Sequence, residues 1–433
     1  MPDMPTALAR PLHGSRHGAL HIALLTHSVL PRGGVVHALE LAEALTARGH
    51  AVTVFAPAEP GQAMFRRIAC PVVLVPLAPV GGTLVEQVGQ RIAGLVAGLP
   101  ALLAEGACDL LHAHDSLSGN ALAELRARGH VLPPWLRTVH HLDDFGHQPQ
   151  LAAWQDRAWR SADALACVSD TWVRRMATEH GLQVQRLHNG VDLRRFRAGP
   201  VASDAAYLDE LGLGTDDGGP LVLSVGGIES RKNSVRLLQA FARLRATDPA
   251  WGRARLVVVG GASLLDHSAT HAAWRAALAA SGLHEGPGEA VLCTGALPDA
   301  ALPALMRRAR LLAMPSLVEG FGLAALEALA CATPVLVSDR APFTEHLTGS
   351  PAVAWCDPLE VDSIAAGLRA AALLPRPPVV PAVCLAHGWD ASAERHEAWY
   401  RAVLARPTTA TATAHPASAP AALPRRALAQ LSS

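Results

Sequence analysis

Two textures of apolar residues alternate along this chain. Short continuous apolar runs, the pattern of strands buried on both faces, are separated by longer stretches in which apolar positions recur every three or four residues. The first run covers residues 20–26 and centres on Ile22-Ala23-Leu24-Leu25-Thr26. After the loop Pro31-Arg32-Gly33-Gly34, a helix is predicted over 35–48, with Val36, Leu39, Ala42 and Leu45 on one face. Gly49 closes it as a left-handed cap, and 51–55 is the next strand. This order of strand, Gly loop, helix and strand opens a doubly wound parallel sheet. Further strands are predicted at 72–75, 109–113, 137–139 and 165–168. Helices are predicted at 84–99, with Leu84, Val88, Ile92, Leu95 and Leu99 on one stripe, at 151–162, and from a Ser169-Asp170 cap to about His180.

The same alternation restarts at 221–225. A helix over 234–245 turns Val235, Leu238 and Phe241 or Leu244 inward, and strands follow at 255–259, 290–294, 310–314 and 334–338. A helix over 299–308 precedes the third of these, and Leu323, Leu326, Leu329 and Ala330 mark a helix before the fourth. Between the halves, 199–220 reads as a linker with one or two helical turns at Ala206-Tyr207-Leu208-Asp209-Glu210-Leu211. Its G-x-G is no dinucleotide fingerprint, because no strand precedes it and no helix follows closely. The expected fold class is therefore α/β, two Rossmann-like doubly wound domains at 18–200 and 219–388. A helix at 391–404 ends the fold, 1–17 reads as a mobile leader, and the Ala-, Thr- and Pro-rich 406–433 as a disordered tail.

Length agrees, since 433 residues exceed one ordinary core. Lys plus Arg and Asp plus Glu both total 37, so net charge gives no reason to expect nucleic acid as partner, although a local basic patch leaves peripheral contact with anionic lipid open. Aromatics are only 4% of the residues, which argues against stacking on single-stranded bases. The seven cysteines are scattered and never form C-x-x-C, so they read as buried free thiols of a reducing compartment. No apolar run reaches the roughly 18 residues of a membrane span. Arg10, His13, Arg16 and His17 ahead of apolar residues 19–25 imitate a signal peptide. That run is short, lacks a small-residue cleavage pattern and leads straight into the Gly-Gly loop, so a first strand and a cytoplasmic location are expected.

The chemistry concentrates in 314–339. Glu319 lies in a loop at the carboxyl end of a strand, Glu327 about one turn into the following helix, and Gly320-Phe321-Gly322-Leu323 between them. Free N–H groups of Phe321, Gly322 and Leu323 at a helix start attract phosphate, and adjacent carboxylates suit sugar and ribose hydroxyls. Lys232, in the loop Gly226-Gly227-Ile228-Glu229-Ser230-Arg231-Lys232-Asn233, is placed as a point charge for a diphosphate. His114-Asp115 and His140-His141-Leu142-Asp143-Asp144 follow two strand ends, where such sheets bind ligands. Two readings stay open there. A metal site needs converging ligands, and His140 and His141 point apart in an extended segment; the other reading is a sugar-contacting or proton-handling His. P-loop, G-x-S-x-G, H-E-x-x-H and D-x-D patterns are absent, so no metal-held nucleotide is expected.

At these residues a resemblance becomes plain. E-G-F-G-L-x-x-L-E-A-L-A-x-x-x-P-V-L, from Glu319 to Leu336, resembles the E-x7-E motif of retaining family 4 glycosyltransferases, which have the GT-B fold. Pro31-x-Gly33-Gly34 before a helix, Gly49-His50-x-Val52-Thr53-Val54 after it, and Asn189-Gly190-Val191-Asp192 with Phe196 resemble the family's N-terminal domain. The resemblance implies two domains facing a cleft, acceptor on the first and nucleotide sugar on the second, with the helix of 389–405 crossing back to the first. It implies that Glu319 lies near the transferred sugar, that Glu327 holds the ribose, that amides of Gly320 to Leu323 and Lys232 hold the diphosphate, and that Gly34 faces the cleft. His140, in Thr138-Val139-His140, matches the family's sugar-contacting His. One departure stands out: Gly227 occupies the place of a common family Arg, for which Arg231 is the candidate replacement. The implied activity is retaining, metal-independent transfer from a nucleotide-diphosphate sugar to a hydroxyl acceptor, with no further cofactor. A nucleotide-sugar epimerase or phosphorylase on this fold, or a non-catalytic binding protein, remains an alternative. The sugar, the base, the acceptor and the oligomeric state are left open.

Overall fold

The computed structural model describes residues 18–146, 148–214, 218–261, 265 and 267–406; the expected leader and nearly all of the expected tail lie outside them. The first sheet contains β1 (His21–Leu25), β2 (Ala51–Ala58), β3 (Val72–Pro76), β4 (Leu110–Ala113), β5 (Trp135–Val139), β6 (Ala164–Cys167) and β7 (Gln185–Arg186). Its order is β3-β2-β1-β4-β5-β6-β7, and every pairing is parallel. The second contains β8 (Leu221–Val225), β9 (Arg255–Val259), β10 (Val291–Gly295), β11 (Leu311–Met314), β12 (Val335–Ser338) and β13 (Val353–Cys356). Its order is β10-β9-β8-β11-β12-β13, again all parallel. Both sheets reverse direction of strand addition beside their first strand, and ligands of such sheets bind at the carboxyl ends of the strands there.

The apolar runs are continuous because both faces are covered. Ile22 and Leu24 of β1 pack in one cluster with Val35, Leu39 and Leu45, while Ala23 and Leu25 pack in another with Ile92, Leu95 and Leu99. In the second domain Leu221 and Leu223 face Leu305 and Leu326, while Val222 faces Leu237, Leu238 and Phe241. The period-two split places one helical layer on each face.

The helix Leu84–Glu105 outruns its expected end, continuing through Pro100, because Leu99 and Leu103 carry the same stripe onward and a Thr83–Glu86 capping box fixes its start. Strands β7 and β13 and the helices Ser116–Ala127, Ser268–Ser281 and Val361–Leu373 were not anticipated from pattern. The linker holds the helix Asp204–Glu210. The helix Trp389–Leu404 does cross to the first domain: Trp389, Ala393, Trp399, Tyr400 and Val403 join the cluster of Leu39 and Ala42. The Tyr400 hydroxyl and His112 Nδ1 lie 2.7 Å apart. All seven cysteines are free, Cys108 and Cys293 being only half-buried. Among the described residues no helix is long and apolar enough to cross a membrane.

Candidate active site

Strands β8 and β11 are neighbours at the reversal of the second sheet, and their loops build one wall of the site. Lys232 Nζ lies 2.5 Å from Glu319 Oε1, and the Ser316 hydroxyl donates to the same oxygen at 2.8 Å. Arg231 sits 3.8 Å from Glu319 and 2.9 Å from Glu229. The two loops are tied together. Leu317 N–H donates to the Arg231 carbonyl at 2.8 Å, and Asn233, with a left-handed φ of 60°, donates its side-chain amide to the Pro315 and Pro358 carbonyls. Gly226 is required here: with φ at +130°, a Cβ would stand 2.6 Å from Lys232 Cε, in the path of that side chain. Burial works to raise the Glu319 carboxyl, but the charges of Lys232 and Arg231 and hydrogen bonds from Lys232 and Ser316 outweigh it and hold the group below the usual carboxylate range.

The helix Leu323–Ala330 begins at Gly322, whose φ is 87°. Among the described residues the N–H groups of Phe321, Gly322 and Leu323 donate to no protein acceptor. The Phe321 ring is buried and stacked on His346, with centroids 4.6 Å apart, so its amide is what it can offer a ligand. Glu327 is buried on this helix, and among the described residues its carboxyl group has no protein hydrogen bond. Burial pushes its carboxyl up to about 8, against the pull of Arg195 and with further push from Glu40 and Asp299.

The opposing wall is the first domain. His140 follows β5, and a Cβ on Gly34 would lie 3.5 Å from its ring, so the Gly-rich loop and this His meet. His141 turns away to Asp143, at 3.4 Å. Gly320 closes the cleft, since a Cβ there would fall 2.4 Å from the His140 carbonyl oxygen. Trp172 Nε1–H also donates across the cleft to the Glu319 carbonyl, at 2.9 Å. Behind His140, the rings of His37 and His114 lie 4.7 and 5.8 Å away, centroid to centroid. Burial drives all three imidazoles well below their ordinary range, and neighbouring cationic forms push in the same direction.

The site residues expected from sequence thus gather in two groups: Lys232, Arg231, Glu319 and the Gly320–Leu323 start on one wall, Gly34 and His140 on the other. Arg231 reaches Glu229 and Glu319 and so lies on the same wall as Lys232. Pattern reasoning missed Ser316, Glu229, Asn189 and His37. The first two carried a signal, being polar residues in loops already singled out at strand ends. His37 carried a weak one: it lies three positions after Gly34 and is fully buried in the face of a helix otherwise lined by Val35, Ala38, Leu41 and Leu45.

Two parallel α/β domains whose strand ends meet across one cleft define the GT-B class. Solved structures of similar shape include sucrose-phosphate synthase from Thermosynechococcus elongatus, at TM-score 0.70 and 22% identity over 89% of this chain and 99% of that one. The catalytic domain of starch synthase IV from Arabidopsis thaliana, bound to ADP and acarbose, gives 0.69 at 14% over 90% and 100%. Anabaena HepE in complex with UDP-glucose gives 0.61 at 18% over 89% and 98%. Residues 31–195 match the model described as Glycosyltransferase Family 4, and residues 212–377 the one described as Glycosyl transferases group 1. Relatives include D-inositol 3-phosphate glycosyltransferases of Rhodococcus opacus, 30% identical over 77% of both chains, and of Salinispora arenicola, 34% identical over 60% of both. The chain belongs to glycosyltransferase family 4. Its match spans 60% of the length of the Salinispora arenicola relative.

Proposed function

We propose that the protein transfers a sugar from a nucleotide-diphosphate sugar to a hydroxyl acceptor, with retention of anomeric configuration. The observation that carries the reading is Lys232 held against Glu319 beside a helix start whose N–H groups have no protein acceptor among the described residues. In this reading the diphosphate takes the amides of Phe321 to Leu323 and draws Lys232 from Glu319. The carboxylate, kept ionised by its neighbours, is then free to accept hydrogen bonds from hydroxyls of the transferred sugar. Glu327, without a protein partner, accepts from the ribose. As the anomeric carbon–oxygen bond breaks, charge grows on the leaving diphosphate, where Lys232 and fixed N–H dipoles are already aimed. The acceptor oxygen bonds to that carbon, and its proton passes to the departing phosphate oxygen. Neutralisation by Lys232 and amides makes a metal on the diphosphate unnecessary in this scheme. His140, across from Gly320, contacts the sugar or the acceptor.

The named relatives make D-inositol 3-phosphate one acceptor to try. The test begins with thermal shift against UDP-, GDP- and ADP-sugars. Any stabilising donor is then incubated with an acceptor panel in chelator, and the product's anomeric configuration is read by NMR. Transfer with retention that persists in chelator is expected. An inverted product, a new sugar isomer formed without acceptor, or binding with no turnover on any acceptor would each overturn the proposal.

A further inference from the structure

The histidines behind the Gly34 loop pose a separate problem. His37 comes from the first helix, Gly33–Ala47, His114 from the end of β4 and His140 from the end of β5. Each offers a ring nitrogen, and these atoms lie within 4.8 Å of one another. His37 Nε2, both nitrogens of His114 and His140 Nε2 are buried and have no hydrogen-bond partner among the described residues. A neutral imidazole carries one donor and one acceptor, and leaving either buried and unpaired is costly, so such a group calls for a water or an ion. His114 leaves both unpaired. The neighbouring His112 is in the opposite state, with Nδ1 2.7 Å from the Tyr400 hydroxyl and Nε2 2.8 Å from the Thr138 hydroxyl. His188, His346 and His396 also leave one buried nitrogen unpaired, so what sets His37, His114 and His140 apart is that their nitrogens converge and that His114 lacks a partner on both.

The second observation is a tautomer lock. His37 Nδ1 lies 2.7 Å from Asn189 Oδ1. A carboxamide oxygen only accepts, so Nδ1 carries the proton and Nε2, buried and without a partner among the described residues, carries the lone pair. A metal-ligating His characteristically donates its other N–H to such an oxygen.

We propose that His37, His114 and His140 bind one divalent transition-metal ion of the zinc class, with a water completing the coordination. Zinc–nitrogen bonds of about 2.0–2.1 Å in tetrahedral geometry need nitrogens about 3.3 Å apart, within reach of side-chain rotation from the observed cluster. The ion ties the first helix to the ends of β4 and β5 and fixes the His140 ring beside Gly34. It is distinct from the diphosphate site, whose charges are Lys232 and Arg231. The proposal shares only His140 with the transfer reading, and its readout is metal content rather than activity, so either can fail alone.

The test uses the full chain carrying no polyhistidine tag. Protein stripped with chelator is loaded with Zn²⁺, desalted and assayed by mass spectrometry for metal. A parallel sample is titrated with Co²⁺ and followed by visible absorption. About one ion per chain is expected, with the intense cobalt bands of a low-symmetry four-coordinate site. H114A should lose the ion. H140A, at a half-buried position that tolerates truncation, should lose it too, while H141A retains it. Asn189→Ala should weaken binding about 10- to 100-fold by releasing the tautomer. No retained metal and no cobalt bands in the wild type would overturn the site, as would metal retained at unchanged stoichiometry in both H140A and Asn189→Ala. If H114A fails to fold, those two variants decide.

Discussion

Lys232 and Glu319 neutralise one another in the ligand-free protein, and that pairing sets what their substitution does. Lys232→Ala removes the charge proposed to meet the leaving diphosphate and should lower kcat by roughly 10²-fold or more, a loss read in steady-state assays with a donor that binds. Because Arg231 still stands 3.8 Å from Glu319, the carboxylate keeps a cationic neighbour and the fold should survive. Glu327 behaves in the opposite sense. Its carboxyl is raised to about 8 by burial, whereas in the unfolded chain it titrates near 4.5. Between those values the folded state holds a proton that the unfolded state releases, so this group destabilises the fold increasingly as pH rises from about 5 to about 8. The effect has an upper bound of about 5 kcal/mol. Glu327→Gln should therefore melt at the same temperature as wild type near pH 4.5 and above it at pH 8. The same variant should bind donor more weakly at pH 8, where wild-type Glu327 is half ionised and able to accept from ribose. Equal melting curves at both pH values would refute the raised carboxyl.

Between residues and the fold stand the loop-to-helix junctions. Gly320 permits the first domain's His140 carbonyl to approach within 2.4 Å of where a Cβ would be, and backbone cannot swing aside as a side chain can. Gly320→Ala should therefore leave each domain folded and donor affinity within a few-fold, yet lower transfer at least about 10-fold by holding the walls apart. Calorimetric donor titration beside turnover separates the two effects. How far these junctions were legible in the sequence follows from where their signals lie. The helix start at Leu323 and the carboxylates at Glu319 and Glu327 are contiguous, so one stretch of chain states them. Strand β13 was not anticipated: Val353-Ala354-Trp355-Cys356 is short and follows a turn. The helix Ser116–Ala127 opens on Ser116, Ser118, Gly119 and Asn120, residues that favour turns, and it stands because Asp115 caps it and Ala121, Leu122 and Leu125 are buried. His37 was illegible for a different reason. Its partners come from β4, β5 and the turn at Asn189, which only the sheet order brings together.

Across the whole molecule the two domains are also joined by charge. Arg195 spans the joint: one guanidinium nitrogen lies 2.7 Å from Glu40 on the first helix and another 2.9 Å from Asp299, which precedes the helix Ala301–Arg308 of the second domain. Arg66 repeats the bridge at 2.7 Å to Glu40 and 3.5 Å to Asp299. Glu40 and Arg66 are nearly buried, so this network is screened by salt far less than a surface pair. It also lies beside Glu327, whose ionisation Arg195 favours. Cleft closure and the ionisation of Glu327 are thereby coupled through one side chain. Arg195→Ala cuts the interdomain bridge and removes Glu327's leading cationic neighbour together. The population should shift toward open domains, read as a larger radius of gyration in small-angle scattering, and donor affinity should fall about 10-fold. Donor added in excess should restore the compact radius in the variant, because in the proposed reading the donor contacts both walls. Arg195→Lys keeps the charge but not the two-armed reach, so it should recover donor affinity in part while leaving the unliganded protein more open. Scattering curves for Arg195→Ala and wild type that superimpose without donor would show that the bridge does not hold the domains closed.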